Sequence, residues 1–105
     1  MAYPVRKENP ETTIQNQVRE LLRLDGWFVI RHQQNMGSHR GLSDLSAIKD
    51  GNTIYVEIKT PKGRLSPDQV KFQKDIEAHG AKYIVCKCVE DIQPHLTRIR
   101  SLQFQ

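Results

Sequence analysis

An α/β domain built on a mixed sheet is the fold that this 105-residue sequence predicts. Three observations predict it. Two stretches space their apolar residues as helices do, and three short runs are rich in β-branched and aromatic residues. An Asp50-Gly51 pair then joins one of those runs to residues 42–49 as a tight hairpin. The expected order is α-β-β-β-α-β, with a short helix in the tail. The length suits one domain, which buries roughly two-thirds of its unfolded surface in a single core.

Residues 1–9 are polar and charged and read as a flexible arm, leaving 10–105 as the domain. From Pro10 onward Ile14, Val18, Leu21 and Leu22 recur at helical spacing, and Asp25-Gly26 marks the stop. Residues 27–31, Trp-Phe-Val-Ile-Arg, form a short strand. A polar loop with two glycines follows over 34–41 and carries His39 and Arg40. Residues 42–49 and 53–60 are the two hairpin strands. Ser66-Pro67-Asp68-Gln69 opens the second helix, with Ser at the N-cap, Pro at the first helical position and Gln at the third. That helix turns Phe72 and Ile76 inward and stops at Gly80. Residues 82–89 make the last strand. Ile92, Leu96 and Ile99 suit a short helix within 90–100, where Pro94 limits its start.

Composition excludes some classes. Apolar residues are 37% and charged residues 27%, and no stretch reaches the roughly 18 apolar residues of a membrane span. No apolar leader follows Met1, so neither secretion nor a membrane is expected, and a cytoplasmic setting is. Lys and Arg outnumber Asp and Glu by 16 to 12, a net +4 that suits a nucleic-acid binder without singling one out. Cys86 and Cys88 stand two apart in a strand, on opposite faces, and no further cysteine completes a zinc pattern. Of the four histidines, only His39, beside Arg40, is a candidate for function.

The hairpin register locates the chemistry. With Asp50-Gly51 as the central pair of a type I′ turn, opposing residue numbers sum to 101, so Asp44 faces Glu57. Shifting the turn by one residue sets Asp44 opposite Lys59 and leaves the same face. Lys59 projects to that face about 7 Å beyond Glu57. The other face is the apolar stripe Leu45, Ala47, Ile54, Val56, Ile58, which needs a helix over it. Two like charges directly opposed are destabilising. A solvated face tolerates them, and so does a divalent cation, since Mg²⁺ takes one or two carboxylates and completes its shell with water and phosphate oxygens. Glu11 lies within about 60° of Ile14, Val18 and Leu22 on a helical wheel, whereas Glu20 falls almost opposite. Gln69 shares a face with Phe72 and Ile76. A capping box accounts for Gln69 and the helix dipole for Glu11, but neither explains why both helices aim a polar group at the sheet.

Gly41-Leu42-Ser43-Asp44 followed by Val56-Glu57-Ile58-Lys59 resembles the GxxD…ExK signature of the PD-(D/E)XK nuclease superfamily, whose core is restriction-endonuclease-like. Leu65-Ser66-Pro67-Asp68-Gln69 and Phe72, then Gly80 and a strand, resemble more specifically the VRR-NUC (virus-type replication-repair nuclease) family. The resemblance runs from about Glu11 to Asp91. It departs at Phe72, where the family often has tryptophan.

The resemblance implies Mg²⁺- or Mn²⁺-dependent hydrolysis of phosphodiester bonds. It makes Asp44, Glu57 and the Ile58 backbone carbonyl metal ligands and Lys59 the residue that stabilises the reacting phosphate or orients the water. Glu11 would act as a further ligand or through a metal-bound water, and Gln69 would orient Lys59 or a water. His39, Arg40, Lys62 and Arg64 are placed to meet DNA phosphates. Small phage and bacterial members resemble junction resolvases that work as homodimers. The expected activity is therefore a structure-selective DNA endonuclease acting on branched or duplex DNA. A non-catalytic DNA-binding module on the same fold is the alternative, and a ribonuclease stays open.

Overall fold

Asn9 caps the first helix, α1 (Pro10–Leu24). Its side-chain oxygen accepts from the Glu11 amide at 2.8 Å, and Pro10 follows where a missing N–H costs nothing. Gly26, at φ +94°, lets the chain leave the helix. Its N–H donates to the Arg23 carbonyl and the Trp27 N–H to the Leu22 carbonyl, the paired closure of a Schellman motif. Between them Asp25 is wholly buried. It accepts from Trp27 Nε1, from Lys49 Nζ and from the backbone N–H groups of Thr97 and Arg98. One carboxylate thus ties the helix end, the hairpin and the tail together.

The computed structural model describes residues 9–98; residues 1–8 of the expected arm over 1–9, and Ile99 and Arg100 of the tail, lie outside the described residues, while Asn9 belongs to the helix cap. The strands β1 (Phe28–Arg31), β2 (Leu45–Lys49), β3 (Asn52–Ile58) and β4 (Lys82–Cys86) form one sheet in chain order. The first three run antiparallel, and β4 joins β3 in parallel. A parallel neighbour needs a crossover, which α2 (Pro67–Ala78) supplies. The mixed sheet, its order and its flanking helices agree with the expected restriction-endonuclease-like core.

The hairpin turns as the Asp50-Gly51 pair demands. Both residues have positive φ, +51° and +79°, and Lys49 pairs with Asn52, Leu45 with Val56. Leu45, Ala47, Ile54, Val56 and Ile58 are buried with Val18 and Leu22 of α1 in the main core. The opposite face lies under α2, where Phe72 meets Tyr55 and Tyr83 edge-on at 5.4 and 6.2 Å between ring centroids. The sheet is therefore sandwiched, α1 on the apolar stripe and α2 on the face that carries Asp44 and Glu57.

Element ends differ from expectation where side chains capture the backbone. β2 begins at Leu45, not 42, because the Gln34 side chain donates to the Leu42 carbonyl and the Ser43 hydroxyl to the Leu45 carbonyl. β4 ends at Cys86, since the Asp91 carboxylate takes the Lys87 N–H. The tail element is a 3₁₀ turn over Val89–His95 with Pro94 inside it, rather than a helix within 90–100. Proline has no N–H to continue an α-helical ladder, whereas burial of Ile92 and Leu96 holds the short turn against the core. Both cysteines are free, Cys86 buried and Cys88 exposed.

The capping box of α2 forms as read. Ser66 Oγ accepts from the Gln69 amide at 3.2 Å, and Gln69 Oε1 accepts from the Ser66 amide at 2.9 Å. Ser66→Ala is expected to lower stability by about 1 kcal/mol in a urea titration.

Candidate active site

Continuing the hairpin register by one pair beyond Leu45 and Val56 sets Asp44 across from Glu57. The two differ in setting. Asp44 is half-buried; its Oδ2 accepts from the Ile58 amide at 2.7 Å and its Oδ1 faces Gln34 Nε2 at 3.5 Å. Glu57 is 3% exposed. Its Oε2 accepts from Gln69 Nε2 at 3.1 Å and lies 3.6 Å from Lys59 Nζ, while its Oε1 is buried with no hydrogen-bond partner. Burial, and next the negative charge of Asp44, push the Glu57 carboxyl up to about 7, against the pull of the Lys59 ammonium.

A divalent cation fits these donors. An unbonded buried carboxylate oxygen beside a second carboxylate is poorly satisfied by protein alone, and hard oxygens suit Mg²⁺ or Mn²⁺. In an extended strand a residue's N–H and C=O point to the same edge. The Ile58 N–H points at Asp44, so the Ile58 carbonyl faces that side as well. Among the described residues no group of three or more His, Cys, Asp or Glu side chains is placed to hold a metal, so the described protein offers two carboxylates and a carbonyl, leaving positions for water and phosphate oxygens.

Gln69 is where helix and sheet chemistry meet. Its Oε1 closes the cap and its Nε2 reaches Glu57, so the capping role and the site role are one arrangement. Glu11 is different. It is exposed in the first turn of α1, as Glu20 is further along, and forms no metal-holding group with Asp44 and Glu57.

The loop before β2 frames the site. Gly41, at φ +77°, lies against the start of α2, where a Cβ would stand 2.1 Å from the Asp68 carbonyl oxygen. His39 sits edge-on to Phe72 at 5.6 Å, and with Gln34, Arg40, Ser66 and Gln69 it lines a polar cleft of about 450 Å³. Arg40, Lys62 and Arg64 are exposed. A larger cleft, about 600 Å³, lies between the hairpin turn at Gly51 and His95 and contains neither carboxylate.

Sequence reasoning missed three residues here. Gln34 braces the chain ahead of Asp44. His32 Nδ1 donates to the Ser43 carbonyl at 2.8 Å, and its Nε2 meets the Ser46 hydroxyl at 3.0 Å, steadying the same segment. Tyr83 lies under α2 near the site. The alternation of Ser46, His32 and Tyr83 onto the carboxylate face was a usable signal once the register was known.

Asp and Glu-x-Lys side by side on one face of a mixed sheet, between two helices, define a restriction-endonuclease-like nuclease fold. The family model for the VRR-NUC domain matches residues 6–90, and the chain belongs to that family of nuclease domains. A solved structure described as a VRR_NUC domain is similar at a TM-score of 0.70 and 19% identity, covering 83% of this chain and 94% of that one. Comparison with curated proteins gave no match. Among the described residues no helix is long and apolar enough to cross a membrane.

Proposed function

We propose that the protein is a divalent-metal-dependent, structure-selective DNA endonuclease that acts in the manner of a Holliday-junction resolvase. The observation that carries this reading is the buried, unbonded Oε1 of Glu57 beside Asp44, with Lys59 3.6 Å from the same carboxylate. Asp44, Glu57 and the Ile58 carbonyl hold Mg²⁺ or Mn²⁺, which when bound supplies Lewis-acid activation of the scissile phosphate and of the attacking water. Gln69 holds the Glu57 carboxylate in place. Lys59 stabilises negative charge on the phosphate as the water oxygen bonds to phosphorus and the P–O3′ bond breaks, leaving 5′-phosphate and 3′-hydroxyl ends.

His39, Arg40, Lys62 and Arg64 hold the DNA backbone around this face. A second copy of the chain would place two sites on two strands of a branch. Phe28 and Ile30, exposed on the edge strand β1, and Ile48 beside them on β2 offer that copy an apolar surface.

The test is to incubate the pure protein with labelled duplex, flap and four-way junction DNA in Mg²⁺, Mn²⁺ or EDTA. Cleavage that needs the cation, and that is lost in Asp44→Ala, supports the proposal. Binding without cleavage under every condition leaves a DNA-binding module instead, and preferential cleavage of an RNA counterpart moves the substrate. Lys59→Ala should be inactive yet bind Mn²⁺; loss of Mn²⁺ binding would give Lys59 a different role.

Replacing Arg40, Lys62 and Arg64 together by Ala should reduce the slope of log K against log salt on duplex DNA by up to about 3, at about 0.9 per lost phosphate contact. Preference among base sequences should stay as in wild type, because phosphate contacts position the backbone and carry no sequence information. An unchanged salt slope would route the DNA away from these loops.

A further inference from the structure

The aromatic layer beneath α2 holds a hydroxyl that the site as described does not use. Tyr83 is 7% exposed, its ring lies edge-on to Phe72, and its Oη is buried without a hydrogen-bond partner. A phenylalanine would fill the same space without burying an unmet O–H, which is costly. The sheet register says where that hydroxyl belongs. Tyr83 pairs with Tyr55 and Val85 with Glu57, so Tyr83 and Glu57 share a face on adjacent strands, offset by two residues. Parallel strands lie about 4.8 Å apart and two residues rise about 6.6 Å. Such diagonal neighbours stand about 8 Å apart at Cα, a gap that a tyrosine and a glutamate side chain can span. Glu57 Oε1 is the other unpartnered buried oxygen on this face, an acceptor without a donor, and the two make no direct hydrogen bond. After burial, the charges of Glu57 and Asp44 are what hold the Tyr83 phenol above its ordinary value, so the hydroxyl lies in their field.

We propose that Tyr83 is a positioning residue of the candidate metal centre: its hydroxyl donates to Glu57 Oε1 across one water, and orients the oxygen that takes the cation. This rests on the reading of Glu57 as a cation ligand. A carboxylate oxygen has two lone-pair sites, so one can accept from that water while the other faces the cation. With Gln69 on Oε2 the carboxylate is then held at both oxygens. Such supports of a ligating carboxylate tune metal affinity without touching the metal.

Tyr83→Phe removes the O–H and leaves the ring. The first measurement needs neither metal nor cleavage: a double-mutant cycle of Tyr83→Phe and Glu57→Leu in EDTA, read by denaturant unfolding of the full chain. Non-multiplicative effects on the unfolding constant, by about threefold or more, support the contact, whereas effects that multiply overturn it. The second is Mn²⁺ titration by calorimetry, where Tyr83→Phe should weaken binding by about tenfold, with kcat lowered and KM for DNA unchanged. Equal Mn²⁺ affinity in the two proteins overturns the positioning role. Coupling in the cycle with no Mn²⁺ binding by the wild type keeps the contact and overturns the nuclease reading instead.

Discussion

Glu57→Gln is expected to leave a folded protein that cleaves DNA at least about 10³-fold more slowly, and that without divalent cation is more stable than wild type above neutral pH. Both effects have one source. Glu57 is buried beside Asp44, and its carboxyl is raised from 4.5 to about 7 in the folded protein. A raised pKa means that the folded state binds the proton more tightly than the unfolded chain does. The stabilisation is therefore complete below pH 4.5 and falls away as pH rises through 7. Its loss by pH 8 amounts to at most about 3 kcal/mol. Glutamine keeps the shape and carries no titrating charge, so its advantage over wild type should be present at pH 8 and vanish near pH 5. Saturating Mg²⁺ should restore wild-type stability at pH 8 and leave Glu57→Gln unchanged. Melting temperatures at the two pH values, with EDTA and with Mg²⁺, decide the matter. A wild-type melting temperature that does not fall relative to that of Glu57→Gln between pH 5 and pH 8 in EDTA would show that Glu57 does not carry this strain.

Gly41→Ala should be among the most damaging single-methyl changes in the chain. An added Cβ would stand 2.1 Å from the Asp68 carbonyl oxygen and 2.5 Å from its carbon, and φ there is +77°. Those are backbone atoms of the first turn of α2, so the helix start must move. Gln69, the next residue, then loses its place against Glu57. We expect a loss of about 3 kcal/mol or more in denaturant unfolding, together with weakened Mn²⁺ binding. Gly51→Ala is the control. Its φ is +79° but a Cβ there meets nothing within 4 Å, so it should cost only the left-handed backbone term of about 1 kcal/mol. Equal losses at the two positions would mean that the approach of loop to helix is not what makes Gly41 necessary.

The hairpin shows how far local chemistry reaches. Asp50-Gly51 accepts positive φ at both positions, and the strand period of two then assigns each of Asp44, Glu57 and Lys59 to one face without further information. The α2 cap was legible for the same reason, since Ser66, Pro67 and Gln69 act within one turn. That Gln69 faces the sheet followed from its helical phase, but the bond of its Nε2 to Glu57, where Lys59 or a water was expected, came only with the packed layers. Glu11 marks where the helical phase stops being informative: it shares a stripe with Val18 and Leu22, yet in the first turn it is exposed.

By itself the sequence determined the element order, the hairpin register, both helix starts and the convergence of two carboxylates and a lysine on one face. These follow from backbone preferences and periodicities that act over a few residues. Tertiary structure alone decided that Glu57 is buried with one oxygen unbonded while Asp44 is half-open, because that depends on α2 closing over the sheet. It also decided the Asp25 tie to Thr97 and Arg98 and the brace of Gln34 and His32 on the chain before Asp44. Each joins groups distant in sequence, and no local periodicity encodes a hydrogen bond whose partner arrives only when the layers pack.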